Sequence, residues 1–370
     1  PRDDSRALLR VAHKDIATAV MAGNNSRVKL RNVIIDGNRP ELGIATAGLI
    51  EWGGAATGQI VEWVKAYEPR GWSVLVLSHG DDRRCSGAEA RYNELGPGGH
   101  AAYGLADGIS LACRNSVVEN NTIVDVTDGG IVIFQVPGSL VQNNTIRAES
   151  RIMFYGISMV DYGPYDGDFT GTRVIGNTID AQGALIRRGI SMGPYVGCIP
   201  AEETTLRSHG AVVTGNILEG DHMAYGFAVS GVEDWTVTGN IDNSTHVPTT
   251  GERMCFGQLE DPPGGFQLNP SISEGTFQEE FEGAVFGFTM EWWPFQTVVS
   301  EACAGDLIGA ELLGEIREGR EGSLWFALET AENGERIGQC VSVYQVPELS
   351  DAPDVIMMGV AACEPLCAEV

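Results

Sequence analysis

An asparagine recurs in similar surroundings along the chain, and this repeat constrains the fold more than any other feature of the sequence. Its contexts read RYNEL, ENNTI, QNNTI, IGNTI, TGNIL and TGNID, centred on Asn93, Asn121, Asn144, Asn177, Asn216 and Asn240. Recurrence at intervals of about 20–50 residues is typical of stacked repeats. An asparagine at the same turn of successive coils can bond to its neighbours along the stack. The repeat therefore predicts a solenoid with a buried asparagine ladder.

Short apolar runs accompany the asparagines. They read GWSVLVL, GISLA, GIVIF, GISMV, GISMG and GFAVS, and their first apolar residues are Trp72, Ile109, Ile131, Ile157, Ile190 and Phe227. The runs alternate apolar with small or polar residues, which is the period of a β-strand. The distance to the next run is nearly constant, at 10 to 13 residues, for Asn121, Asn144, Asn177 and Asn216. Together the two columns predict a parallel β-helix, an all-β fold.

The distance from each run to the following asparagine varies, which indicates insertions that leave the stack after one particular strand. Long excursions are expected at about 78–88, 161–171 and 194–210. The coils that begin at Gly108 and Gly130 have none. Since loops of a solenoid often line its binding face, these two coils are predicted to form the floor of a notch between loop walls.

Composition excludes several classes of function. The 370-residue chain has a formal net charge of −26, so it lacks the basic field that nucleic-acid binding requires. No run of 18 apolar residues is present, so no membrane span is expected. Because the sequence begins at Pro1 without a methionine, we expect a processed, secreted protein or a trimmed chain. We also expect a monomer.

The eight cysteines do not form paired Cys-x-x-Cys motifs, so we expect disulfides rather than a metal site. Two pairs fall on or near neighbouring coils, and the predicted bridges are Cys85–Cys113 and Cys198–Cys255. Four Asn-x-Ser/Thr sites, at Asn24, Asn120, Asn143 and Asn243, permit N-glycosylation if the source is eukaryotic.

Two domains are predicted, a β-helix over 1–250 and a small, disulfide-braced β cap or module over 251–370. A loop rich in proline and glycine, 261–265, marks the change. In the C-terminal part SLWFALE (323–329) and QCVSVYQVP (339–347) indicate two strands. Residues 5–22 fit either a helix or the strands of an early coil.

The GNTI turns and GISLA-type strands resemble the right-handed parallel β-helix of pectin-lyase-like proteins over roughly residues 28–246. A more specific similarity is to polygalacturonases, a family of glycoside hydrolases. Their Asn-Thr-Asp-Gly motif corresponds to Leu105-Ala106-Asp107-Gly108, and their Asp-Asp-Cys-Ile motif to Asp128-Gly129-Gly130-Ile131. This chain has Gly129 at the second aspartate and Tyr155 at the histidine of the Gly-His-Gly motif. The Arg-Ile-Lys motif is replaced by Ser191-Met192-Gly193.

Asp107 and Asp128 are the first candidates for catalysis, because each stands just before an apolar run on neighbouring coils. With the runs aligned on Ile109 and Ile131 the two aspartates are offset by one residue. Their carboxyls are then about 5–9 Å apart, which covers both retaining and inverting glycosidases. Two close acids raise the pKa of one of them, as a general acid requires. Asp161 is a possible third carboxylate.

Candidate substrate-binding residues lie on the same face or in the nearby loop. They are Tyr155, Ser158, Tyr162, Tyr165, Arg188, His222 and Tyr225. Tyr155, Arg188 and Tyr225 are predicted to share a column with Asp107.

These residues predict a glycoside hydrolase that cleaves an extended polysaccharide in a groove, with no cofactor. Two alternatives remain. One is a polysaccharide lyase with Tyr155 or Arg188 as base and a possible Ca²⁺ ion. The other is a non-catalytic, glycan-binding β-helix.

Overall fold

The computed structural model describes residues 6–80, 83–100, 104–160, 165–196, 207–248 and 264–284, together with five strands between residues 316 and 365. Helix is limited within these residues to Arg39–Leu42 and a 3-10 turn at Pro194–Val196. The described part of the chain is therefore all-β, as predicted.

Three parallel sheets run side by side through the larger part of the molecule, and each coil of the chain adds one strand to each sheet. The first sheet contains Ala7–Arg10, Val33–Asp36, Lys65–Tyr67, Glu94–Leu95, Thr122–Val124, Thr145–Arg147, Thr178–Ala181, Ile217–Gly220 and Ile241–Asp242. The second contains Val20–Gly23, Ile50–Gly53, Ser73–Ser78, Asp107–Leu111, Gly129–Phe134, Met153–Val160, Ile186–Met192, Met223–Val229, Phe266–Leu268 and Glu282–Gly283. The third contains Lys29–Arg31, Ile60–Glu62, Glu89–Arg91, Val117–Glu119, Leu140–Gln142, Arg173–Ile175, Val212–Thr214, Trp235–Thr238 and Gly275–Phe277.

This path is that of a right-handed parallel β-helix, the fold that the repeat and its resemblance predicted. A further pair of strands, Ser208–His209 and Val232–Glu233, lies outside the three sheets. The described residues of the segment 5–22, from residue 6 on, contain two strands and no helix. Among the described residues no helix is long and apolar enough to cross a membrane.

The asparagine ladder is present and continuous. Each ladder side chain donates an amide hydrogen to Oδ1 of the next at 2.9 Å, from Asn93 through to Asn240. The same Oδ1 accepts the backbone N–H of the preceding ladder residue. Beyond Asn240 the acceptor is Oε1 of Gln278. Buried amides that satisfy one another in this way hold successive coils in register.

The residue before each ladder asparagine adopts a left-handed conformation. Asn120 and Asn143 have φ of 53°, and Gly176 has φ of 62°. Asparagine and glycine accept this conformation more easily than other residues. This explains the Asn-Asn and Gly-Asn pairs of the repeat.

The register of the second sheet determines which side chains face outward. Ile109 pairs with Ile131, as predicted. Leu75, and not Trp72, pairs with Ile109, so the predicted place of Trp72 in this column was wrong. Trp72 precedes its strand and is 43% exposed.

A column of glycines brings the second sheet close to the first. A Cβ on Gly130 would lie 2.6 Å from the carbonyl oxygen of Gly156 and 2.6 Å from Cγ2 of Ile146 in the first sheet. Ile131 also faces the core and is fully buried. Two successive residues of each strand therefore face inward, and the residues on either side of them face outward.

Three long connections follow strands of the second sheet, at 79–88, 161–172 and 193–207. These are the places predicted from the spacing. In the described parts of the first two connections, Arg83 Nη1 lies 3.7 Å from Asp166 Oδ2. The two segments thus approach each other across the coils that begin at Gly108 and Gly130.

A disulfide joins Cys85 and Cys113, which are 28 residues apart in sequence, as predicted. Both cysteines are buried in the core. The bridge therefore links the first long connection to the coil that follows it. Cys198 and Cys255 lie outside the described residues.

The β-helix continues past residue 250, the boundary expected from sequence. Phe266–Leu268 pairs with Met223–Val229, and Glu282–Gly283 follows in the same sheet. The chain divides into compact units at Pro1–Met290 and Glu291–Val370.

The second unit contains an antiparallel sheet, which includes both of the strands predicted there. Its strands are Ile316–Glu318, Ser323–Glu332, Glu335–Gln345, Ile356–Met357 and Glu364–Pro365.

Candidate active site

The outer face of the second sheet carries two columns of side chains. Within each column, side chains on successive coils are about 4.8 Å apart. The first column is Ser73, Asp107, Gly129, Tyr155, Arg188 and Tyr225. The second, three residues further along each strand, is Val76, Ser110, Val132, Ser158, Ser191 and Ala228. The predicted register is confirmed, since one column contains Asp107, Tyr155, Arg188 and Tyr225.

Asp107 is 5% exposed, and both of its carboxyl oxygens have partners. Oδ2 lies 2.7 Å from Ser110 Oγ, and Oδ1 accepts the backbone N–H of Gly129 at 3.2 Å. Burial and the charge of Asp128 raise the pKa of Asp107 well above its ordinary value, although both hydrogen bonds act in the opposite direction. Asp107 therefore has the environment of a carboxyl that stays protonated.

Asp128 lies beside Asp107 on the next coil and is partly exposed. Burial raises its pKa to about 6. Its backbone is fixed, since its N–H donates to the carbonyl of Ala106 at 3.1 Å and its carbonyl accepts the N–H of Phe154 at 3.1 Å. Solvent therefore reaches the pair from the Asp128 side, and this carboxyl loses its proton near neutral pH.

Gly129 leaves a gap in the first column between Asp107 and Tyr155. A Cβ at this position would lie 2.3 Å from Cγ2 of Val132 and 3.7 Å from Oδ1 of Asp107. A side chain here would collide with the neighbouring column and face the carboxyl. The glycine that departs from the polygalacturonase pattern is thus required by the close approach of Val132.

Tyr155 and Arg188 contact each other on the next two coils. Arg188 Nη1 lies 3.4 Å from the Tyr155 hydroxyl, and its guanidinium carbon is 5.6 Å from the ring centroid. The preceding residues repeat the arrangement, with the guanidinium of Arg187 4.9 Å from the ring centroid of Phe154. Cation–π contacts of this kind keep long side chains in place.

Ser158 and Ser191 are neighbours in the second column and are almost completely buried. Neither hydroxyl has a hydrogen-bond partner within the described residues. Buried hydroxyls without partners are uncommon, so both are candidates for contact with a bound molecule.

The other predicted binding residues lie apart from the acid pair. Tyr225 packs with Val196 and Ala228 at the far end of the face. Tyr165 is half-buried and packs against the main core. His222 is exposed and precedes the strand Met223–Val229.

Asp161 and Tyr162 lie outside the described residues. Among the residues that the structure does describe, no group of three or more His, Cys, Asp or Glu side chains has the arrangement of a metal site.

Ser73 was missed by the sequence analysis because Trp72 was aligned with Ile109. Gly71 looked like the glycine that opens the other runs, but it belongs to a turn, where a Cβ would lie 2.0 Å from the carbonyl oxygen of Ala47. Alignment on Leu75 would have placed Ser73 beside Asp107.

No protein-family model matches the sequence, and no curated protein is significantly similar to it. Several solved structures are similar at low identity. The tailspike protein of E. coli bacteriophage HK620, solved with a pentasaccharide, matches 72% of this chain at 11% identity with a TM-score of 0.42. The A-module of mannuronan C-5 epimerase AlgE6 from Azotobacter vinelandii matches 72% at 13% identity with a TM-score of 0.37.

The catalytic domain of Agl-KA matches 72% of this chain at 12% identity with a TM-score of 0.34. The match covers 44% of the tailspike chain, 76% of the epimerase module and 48% of the Agl-KA domain. The chain thus spans less than half of the tailspike it matches.

Proposed function

We propose that this chain is a carbohydrate-active enzyme that hydrolyses glycosidic bonds of a polysaccharide at the outer face of the second sheet. The observation that carries the proposal is the pair formed by Asp107 and Asp128. The two carboxyls lie on neighbouring coils, and the pKa of each is raised. Two carboxyls of unequal proton affinity on one face are the machinery of glycoside hydrolysis.

Asp107 acts as the general acid in this proposal, because it is the more buried carboxyl and the Asp128 charge disfavours its ionisation. It gives its proton to the leaving oxygen of the glycosidic bond. Asp128 acts in its ionised form, which predominates above its pKa of about 6. It either activates a water or attacks the anomeric carbon, depending on whether the carboxyls are about 6.5–9.5 Å or about 5–5.5 Å apart. Asp161 is proposed as a third catalytic carboxylate.

The substrate is positioned by the columns that continue from the acid pair. Tyr155 and Tyr225 offer aromatic surface, and Arg188 and Ser158 offer hydrogen-bond donors. All four of these side chains are at most 7% exposed, so only a small part of each is available to a substrate.

A panel of neutral and acidic polysaccharides tests this proposal. Hydrolysis releases reducing ends without a change in ultraviolet absorbance. No new reducing ends from any glycan, with a protein that is folded and binds none of them, would contradict it. Retention on one glycan without cleavage would instead support a binding protein.

A polysaccharide lyase is the second candidate, and the contact between Tyr155 and Arg188 favours it. A phenol oxygen that accepts a hydrogen bond from a guanidinium is suited to act as a base in β-elimination. Elimination would release reducing ends together with the absorbance of unsaturated uronates. In that case Tyr155→Phe would abolish the absorbance and Asp107→Asn would not.

The disulfide supports a location outside the cytoplasm. Bridges such as Cys85–Cys113 persist in oxidising compartments. We place the protein outside the cytoplasm, acting as a monomer on a polysaccharide partner.

A further inference from the structure

A line of four oxygens begins at the carboxyl of Asp107 and ends at the protein backbone. Ser110 Oγ lies 2.7 Å from Asp107 Oδ2 and 2.8 Å from Ser73 Oγ. Ser73 Oγ lies 3.1 Å from the carbonyl oxygen of Leu75. Asp107, Ser110 and Ser73 are 5%, 1% and 0% exposed. The line is therefore shielded from bulk water.

The number of protons on this line depends on the state of Asp107. Each of the three contacts is short enough to be a hydrogen bond and needs one proton. A serine hydroxyl supplies one proton, and the carbonyl of Leu75 supplies none. When Asp107 carries a proton on Oδ2, all three contacts are filled and every donor points toward Leu75.

When Asp107 is ionised, the direction of donation must change. Ser110 then donates to Oδ2, and Ser73 donates to Ser110. Two protons then serve three contacts, and the longest contact, that with Leu75 at 3.1 Å, is the one left without a hydrogen, because two oxygens without a hydrogen between them repel least at the longest distance. Oδ2 has a hydrogen-bond partner in both states, and Oδ1 is held by the N–H of Gly129 throughout.

We propose that Ser110 and Ser73 are positioning residues for Asp107, and that their hydroxyls reverse direction together when Asp107 gains or loses its proton. The serines transfer no proton. They rotate when the Oδ2 proton leaves for the substrate, so the carboxyl keeps one orientation in both its protonated and its ionised state. Catalysis benefits because no solvent has to reorganise around the carboxyl. The inference rests on the proposed function for its use, but the hydrogen-bond chain itself does not.

Titration of Asp107 tests the chain without a substrate. The ¹³C resonance of the carboxyl, assigned by its loss in Asp107→Asn, reports the pKa directly. Ser110→Ala removes the donor to the ionised carboxyl and should raise the pKa by about one unit. Ser73→Ala leaves Ser110 with no acceptor except Asp107, which favours the ionised form and should lower the pKa.

The opposite signs distinguish the chain from a merely structural contact. Because Ser73 acts only through Ser110, the double variant should titrate as Ser110→Ala does. Ser73→Cys keeps the shape of the side chain with a somewhat larger atom and weakens the hydrogen bond, so it should move the pKa in the same direction as Ser73→Ala. Ser116→Ala is a matched control, since Ser116 is equally buried but donates to the carbonyl of Cys113.

Two results would overturn the inference: an unchanged Asp107 titration in both folded Ser73 variants, or a shift of the same sign as in Ser110→Ala. If the predicted shifts occur but no polysaccharide is cleaved, the chain stands and the proposed function fails. If a polysaccharide is cleaved but Ser73 has no effect on the titration, the inference fails alone.

Discussion

Asp107 and Asp128 are held differently although they occupy neighbouring coils. Asp107 has a partner for each oxygen and is nearly inaccessible, whereas Asp128 is partly exposed. Close carboxyls of unequal environment separate into an acid and a base. The fold raises the pKa of both aspartates. An ordinary ion pair lowers the pKa of its aspartate instead.

This preference makes Asp128 a source of instability at neutral pH. Its pKa rises from 3.8 in the unfolded chain to about 6 in the fold. Its stabilising contribution is thus present below pH 3.8 and is lost as the pH rises to about 6. Asp128→Asn does not ionise, so at pH 7.5 it should be more stable than the wild type by about 1–3 kcal/mol. Denaturant unfolding across pH 3.5–7.5 measures the difference, and equal pH slopes for the two proteins would contradict it.

The two aspartates could be found from sequence because each precedes a repeated apolar run. Ser73 could not be found in the same way, because the run that contains it begins with Trp72 and has Val74 where later strands have glycine. The register of that coil depends on packing against its neighbours, and a single sequence does not report that packing.

The ladder turn is the element that best explains why these coils stack. A left-handed residue reverses the chain, and the following asparagine bonds upward and downward along the stack. Each internal ladder side chain is therefore hydrogen-bonded to groups on both neighbouring coils. Removing one leaves buried donors on its neighbour without an acceptor.

Asn144→Ala should lower the free energy of unfolding by about 2–4 kcal/mol, because the amide and backbone N–H of Asn121 both lose their acceptor. Asn143→Gly is the matched control. Asn143 is exposed and has φ of 53°, which glycine adopts freely. Its replacement should change the stability by less than about 0.5 kcal/mol. Equal losses for the two variants in urea unfolding would show that the ladder does not carry this stability.

The strands of the second sheet and the ladder turns could be predicted because both leave a repeated sequence signal. The strands of the third sheet could not be located singly. Most of them are three residues long, and only the central side chain, such as Val118 or Val141, is fully buried. One inward residue per strand produces no periodic pattern.

At the scale of the whole molecule, the sequence repeat ends near residue 250, whereas the strands of the β-helix continue beyond it. The coil after Asn240 has Gln278 in place of a ladder asparagine, and its strands are two or three residues long. A glutamine can make the same hydrogen bond from a longer side chain but does not match the repeat. The β-helix therefore extends further than its sequence signal does.

The central claim is that Asp107 and Asp128 form one catalytic pair on the outer face of the second sheet. The direct measurement is the initial rate of reducing-end release from the polysaccharide identified in the panel, with Asp107→Asn and Asp128→Asn. Asp180→Asn is the control, because burial also raises the pKa of Asp180, which lies in the first sheet.

Loss of a positioned acid or base slows such a reaction by about 10²–10⁴-fold. We therefore predict losses of this size for both pair variants and a rate within about twofold of wild type for the control. Full activity in both Asp107→Asn and Asp128→Asn would contradict the assignment of the site.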